Sequence, residues 1–366
     1  MREDFYVPSG CAVAGILNQD GQKISGENII RSIATMHERS NGLGGGFAAY
    51  GIYPEFTELY AFHILYDKKG RESEVEDILE KKFSIERAET IPVRENKAIN
   101  DYPLFKRYFL RFKGEKYQEE DEVVQVVMDI NSRVDDVYVI SSGKNMGIFK
   151  GIGYPEDIGH FFRLEEYEGY CWIAHGRFPT NSVGWWGGAH PFGLLSWSVV
   201  HNGEISSYGI NRRYLQNFGY FCNLQTDTEV IAYLIDLLAR KHHLPIPYLK
   251  AALASPFWSD IEDMDEPERS FYKAMRITYG GALLNGPFSI IVGFEGGMFG
   301  MVDRIKLRPM VAGWRGETFY LASEECAIRE ISPELDRLVP FQGGEIIWGK
   351  LGEKVNYGQE LAFSRV

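Results

Sequence analysis

The stretch Cys11-Ala12-Val13-Ala14-Gly15-Ile16-Leu17 decides how this chain is read. Apolar and small residues without a charge predict a buried strand. Asn18-Gln19-Asp20-Gly21 predicts the turn that ends it, because Asp-Gly tolerates positive φ. A cysteine at the head of such a strand has two readings. The ordinary one is inert filler, since cysteine is among the most buried residue types. The other is a nucleophile that becomes an N-terminus once residues 1–10 are removed. Those ten residues carry Arg2, Glu3 and Asp4 and no apolar middle. They do not read as a secretory signal; they read as a propeptide-like segment.

Working outward, Glu27 to Arg39 has the apolar spacing of an amphipathic helix. Asn41-Gly42-Leu43-Gly44-Gly45-Gly46 breaks it as a glycine-rich loop, and a strand from Phe47 to Tyr53 follows. Residues from about 55 to about 135 change texture and become rich in Glu and Lys. They predict an α+β insertion with strands at Tyr60 to Tyr66 and Tyr108 to Phe112, and helices at Glu74 to Lys82 and Glu122 to Asn131. Short strands return after 137, and Thr228 to Leu238 predicts a helix capped by Thr226 or Asp227. Strand blocks at both ends with helices between them give an α+β fold class.

Composition narrows the function classes. The chain has 366 residues, 45% hydrophobic, enough for a large core, and a net charge of −12 without Lys/Arg runs. That balance excludes a nucleic-acid binder, which needs clustered cations. No apolar run approaches the length of a membrane span. Four cysteines without a Cys-x-x-Cys pair argue against a disulfide framework or a zinc site and fit a cytoplasmic protein.

Three polar clusters in the second half carry chemistry. His175-Gly176-Arg177-Phe178-Pro179-Thr180 sets an Arg fork and a hydroxyl after a strand, a pattern suited to a carboxylate. His201-Asn202-Gly203-Glu204-Ile205 is either a hairpin turn or an oxyanion hole built from the Asn202 amide and the Gly203 N–H. Gln225-Thr226-Asp227-Thr228-Glu229 is a helix cap, a ligand for an ammonium group, or both.

Together with Cys11, these clusters resemble the class II glutamine amidotransferases, of the N-terminal-nucleophile hydrolase fold. Asp303-Arg304-x-x-x-Arg308-Pro309 and Leu321-Ala322-Ser323-Glu324 add to the likeness. Within that family the likeness is closest to the amidotransferase domain of glutamate synthase, carried by Arg177 to Ser182, Trp186, Pro191-Phe192 and His201 to Ile205. The resemblance implies a four-layer αββα sandwich over residues 11–366, with the insertion at about 55–135. It implies that Cys11 is the nucleophile, with its freed α-amino group as base. Asn202 and Gly203 would hold the oxyanion, Arg177 and Thr180 the α-carboxylate of L-glutamine, and Asp227 its α-ammonium. Gly44-Gly45-Gly46 falls where the family has a mobile glutamine loop. Asp303, Arg304, Arg308 and Glu324 would join strands by ion pairs. Trp185 and Trp186 read as surface aromatics, and Cys171, Cys222 and Cys326 as packing.

No flavin or iron–sulfur motif is visible. The resemblance therefore implies no cofactor and no metal in this chain, with flavin and iron–sulfur only on partner subunits. Those partners would be separate glutamate-synthase-like chains; a homo-oligomer is also compatible. The contrasting reading is a catalytically silent regulatory or scaffolding subunit, with Cys11 blocked by an uncleaved N-terminal segment.

Overall fold

The computed structural model describes residues 10–178 and 184–353. Thr180 and residues 1–9 of the propeptide-like segment therefore lie outside the described residues. Ala12–Asn18 is a strand with every residue buried. It pairs antiparallel with Cys171–Gly176 on one side and Thr318–Ala322 on the other. These three strands centre a seven-stranded sheet, completed by Val311–Arg315 and Arg337–Pro340 on one flank and by Gly45–Tyr50 and Met146–Gly151 on the other. A second, five-stranded sheet runs Phe192–Leu194, Trp197–Gly203, Phe288–Phe294, Gly297–Val302 and Ile346–Lys350 in order.

Strand alternation sorts the apolar residues into layers. Val13, Leu17 and Ile173 of the first sheet face Val200, Ile291 and Met298 of the second. The opposite face of the first sheet, with Ala14, Ile16 and Trp172, packs against Ile29, Ile30 and Ile33 of the Gly26–Ala34 helix. Beyond the second sheet, Val199 and Ile290 pack against Ile231 and Leu234 of the Asp227–Ile235 helix. The result is helix, sheet, sheet, helix: the four-layer α+β sandwich.

A separate four-stranded antiparallel sheet orders Phe83–Thr90, Leu104–Phe112, Tyr60–Tyr66 and Val137–Ser141. Its helices Glu72–Glu80 and Glu119–Arg133 bury Val75, Leu79, Val123 and Val127 against it. Its last strand lies beyond residue 135. The strand Phe83–Thr90 has no sustained apolar alternation, with five of its eight residues polar or charged and only Phe83 buried, which is why the sequence pattern does not disclose it.

Four local expectations change. The first helix stops at Ala34 and a 3₁₀ turn, His37–Arg39, follows. Gly45 and Gly46 are strand residues, not loop. A β-carbon on Gly45 would lie 2.7 Å from Pro155 Cα, and one on Gly46 would lie 2.3 Å from the His190 carbonyl, so these glycines permit close backbone approach. Trp186 is buried against Phe105 and Phe161, and Trp185 packs on Tyr138, so both tie the insertion to the sandwich. Of the cysteines assigned to packing, Cys171 and Cys222 are buried but Cys326 is exposed.

Candidate active site

The site forms where the two sheets end together. Cys11 precedes the first residue of its strand, and Ala12 is paired with Gly176 of the neighbouring strand. That register brings Arg177 and Phe178 beside the cysteine. The Phe178 N–H donates to Cys11 Sγ at 3.4 Å. On the other side, Ser323 clamps the strand: its Oγ accepts from Val13 N at 3.1 Å, and its N–H donates to the Val13 carbonyl at 2.9 Å. This gives the Leu321-Ala322-Ser323-Glu324 segment its local role.

Burial pushes the Cys11 thiol up. The Phe178 N–H and the positive charges of Arg177 and Arg308 act against that push, while Asp227 adds to it. One thiol thus feels both guanidiniums and the carboxylate. The thiolate is the nucleophilic form, so two cations beside it favour the reactive state.

Arg177 is buried. Its N–H donates to the Gly44 carbonyl at 2.8 Å, and its carbonyl accepts from Ser40 Oγ and Asn41 N, both at 3.2 Å. A β-carbon on Gly44, whose φ is +156°, would come within 3.0 Å of Arg177 Cδ. Gly44 therefore makes room for the arginine stem.

Asn202 is buried at 1% exposure, yet neither atom of its side-chain amide has a hydrogen-bond partner among the described residues. An unpaired buried amide is costly, and a ligand oxygen would satisfy it. Gly203 has φ +149°, and a β-carbon there would lie 2.0 Å from the Pro287 carbonyl, so no other residue fits.

Asp227 opens its helix but does not cap it. Thr226 is the N-cap, accepting from Glu229 N at 3.1 Å, which releases the Asp227 carboxylate. Asp227 Oδ2 accepts from Ile205 N at 3.3 Å, and Oδ1 lies 3.6 Å from His201 Nδ1. Burial alone would raise this carboxyl; His201, the Ile205 N–H and the Thr228 hydroxyl outweigh it and hold it below the usual range.

The structure thus brings together Cys11, Arg177, Asn202, Gly203 and Asp227. It also adds residues that the sequence reading missed or cast differently. Arg39 donates from Nε to the Cys11 carbonyl at 3.3 Å and pairs with Glu324 at 2.8 Å. Arg308 faces the site rather than joining strands: a β-carbon on Gly10 would lie 3.8 Å from its Nη1, 3.8 Å from Asn202 Oδ1 and 3.1 Å from Arg39 Nη2. Asp303 joins strands through backbone N–H groups instead of ion pairs, accepting from Phe288, Ile305 and Leu307. Arg304 lies over the Phe257 ring and donates to Asn285. Arg39 sits past the predicted helix stripe, so no periodic signal marks it.

Among the described residues no group of His, Cys, Asp or Glu has the arrangement to hold a metal ion. Among the same residues no helix is long and apolar enough to cross a membrane.

A protein of Archaeoglobus fulgidus without an assigned function is 50% identical over 348 residues, 93% of this chain and 92% of its own. A provisionally named glutamine amidotransferase of Methanothermobacter thermautotrophicus is 29% identical, over 90% of this chain and 97% of its own. The solved glutamine phosphoribosylpyrophosphate amidotransferase of B. subtilis aligns at 16% identity and TM-score 0.46, over 92% of this chain and 47% of its own. Residues 88–218 match the family model of class-II glutamine amidotransferases, a span that includes Arg177, Asn202 and Gly203. The chain carries a class II glutamine amidotransferase domain.

Proposed function

We propose that this protein hydrolyses L-glutamine to L-glutamate and ammonia through a thioester on Cys11, and passes the ammonia to a separate synthase subunit of the glutamate-synthase type. The observation that carries the reading is one thiol that feels a cation and an anion, Arg177 and Asp227, next in the chain to Gly10, whose β-carbon position neighbours the unpaired Asn202 amide. Arg177 suits an α-carboxylate and Asp227 an α-ammonium, so together they select a free amino acid. Thr180 is proposed to add a hydroxyl to the carboxylate site.

In the reaction, Cys11 Sγ attacks the side-chain amide carbon of glutamine. The Asn202 amide N–H and the Gly203 N–H stabilise the oxyanion. The amide nitrogen takes a proton and leaves as ammonia, and water then cleaves the thioester to glutamate. The base is the α-amino group of Cys11, which exists only after the Gly10–Cys11 bond is cut. Until then that nitrogen is an amide without basicity. The chain itself is proposed to need no cofactor or metal, with flavin and iron–sulfur chemistry on the partner, in the cytoplasm.

Gly10 favours a second reading at the same time. It sits among Arg39, Arg308 and Asn202, in the space beside the oxyanion amide. A chain that keeps this residue is a silent subunit. Intact mass and glutaminase assay, with and without extract from the native cell, separate the two. Glutamate release from protein starting at Cys11 supports the enzyme; an uncut chain without turnover supports the silent subunit.

A further inference from the structure

Behind Asp227 lies a buried polar group that the reaction above does not use. Thr228 Oγ1 sits 3.2 Å from Asp227 Oδ1, 3.2 Å from His201 Nδ1 and 3.1 Å from His190 Nε2. Thr228, His201 and His190 are all buried. A hydroxyl has one proton to give and two lone pairs to offer. Asp227 as a carboxylate can only accept, so the Thr228 proton points to it. Both imidazoles must then donate: His201 from Nδ1 and His190 from Nε2. Their other ring nitrogens, His201 Nε2 and His190 Nδ1, have no partner among the described residues, as expected of bare nitrogens left over by this assignment. His175 closes the group. It stacks on His190 at 4.0 Å, and its Nε2 donates to the His201 carbonyl at 3.0 Å.

We propose that Thr228, oriented by His190, is a positioning residue that fixes the Asp227 carboxylate and so sets the preference for substrates bearing an α-ammonium group. The proposal rests on the reading of Asp227 as the ammonium anchor. His190 and His201 give their hydrogens to the Thr228 oxygen, and Thr228 gives its own to Asp227 Oδ1, which holds that carboxylate oxygen in place. Neither Thr228 nor His190 needs to touch the substrate.

The test uses the processed enzyme and two ligands that differ only in the α-amino group: L-glutamine as substrate, and glutaramate (4-carbamoylbutanoate) as competitive inhibitor. Thr228→Val is expected to raise KM for glutamine about tenfold, the weight of one hydrogen bond to a charged group. Its kcat and the inhibition constant of glutaramate should stay within about twofold, since neither depends on the ammonium contact. Thr228→Ser restores the hydroxyl and the KM. His190→Phe keeps the ring stack and is expected to give a smaller rise. Thr228→Ala, which adds no methyl in place of the hydroxyl, serves if the valine variant does not fold. Equal weakening of glutamine and glutaramate marks a merely structural threonine and overturns the proposal, as does an unchanged glutamine KM. Asp227→Asn separates the two layers. If it leaves the ratio of the two ligands unaltered, the anchor reading falls and the relay with it. If it alters the ratio while Thr228→Val does not, only the relay falls.

Discussion

The insertion and the Cys11 site both bury charge, but they finish the job differently. In the insertion, Arg107 donates to Glu89 at 2.9 Å, to Tyr53 at 3.0 Å and to Tyr167 at 3.3 Å. Tyr66, Tyr108 and Glu76 close a second chain of hydrogen bonds. At the sandwich end, Asn202 and Arg308 each leave a buried polar atom unpaired among the described residues. A closed network repays its desolvation within the fold; an open one repays it when a ligand arrives. The difference separates groups that hold the molecule together from groups kept ready for chemistry.

The sharpest way to break that contrast is Cys11→Ala. Turnover of glutamine by the processed enzyme is expected to vanish, because no other group at the site forms the thioester; measurable glutamate release from this variant ends the mechanism. Next in size is Asn202→Ala. Removing one oxyanion donor costs about 10²–10³ in kcat, with the melting temperature held or raised, since an unpaired buried amide is being deleted. A stability loss with intact kcat would move Asn202 into the closed class.

Arg107→Ala tests the other side. It takes one partner from Glu89, which keeps Arg87, and one from Tyr53, which keeps His63, so the cost should be about 1–2 kcal/mol of unfolding free energy. Glutaminase kcat/KM at 25 °C should stay within about twofold. Chemical denaturation and steady-state assay on the same preparation check both halves, and a large activity loss would mean that the insertion governs the site.

How much of this was legible beforehand follows the same division. The Ala12–Asn18 strand was readable because its face-to-face burial makes a continuous apolar run. The order Cys11, Arg177, Asn202, Asp227 was readable because these polar types interrupt apolar strands and a helix start, where burial without purpose is costly. Thr226 as cap was one of two candidates, since Thr and Asp both accept from the helix N–H groups; only geometry chose. Arg39 and Arg308 were not legible as site residues. Each reaches Cys11 from an irregular segment whose path is set by sheet pairing far along the chain, so no local period reports it. Gly45 and Gly46 misled because glycine signals both a flexible loop and a tight approach, and the sequence does not say which. The strand Phe83–Thr90 was hidden because it is largely exposed.

The smallest expected effect concerns a charge that belongs to neither class. Lys150 Nζ is buried between the sheets, donating to the Gly187 carbonyl at 2.9 Å and lying 4.0 Å from the centre of the Phe192 ring. Burial pulls its ammonium down to about 7 against the attraction of Glu229, and Arg177 adds to the pull. Burial pushes Glu229 up to about 7, while backbone N–H groups of Leu224 and Asn223 and the charge of Lys150 hold it back. For Lys150 the folded value lies below the unfolded one. Between pH 7 and about 10 the unfolded chain therefore carries a proton that the folded chain has shed, and stability rises with pH there. The slope is at most about 1.4 kcal/mol per pH unit for one proton. Glu229 works the other way below pH 7, where the folded chain holds the extra proton and stability falls as pH climbs from about 4.5. In Lys150→Met the upper limb disappears, and Glu229, without its counter-charge, titrates higher still. Urea unfolding at pH 7 and pH 9 is then expected to show a gain for the wild type and none, or a loss, for the variant. An equal gain in both would place the proton elsewhere and leave Lys150 as one more paired structural charge, on the insertion's side of the comparison.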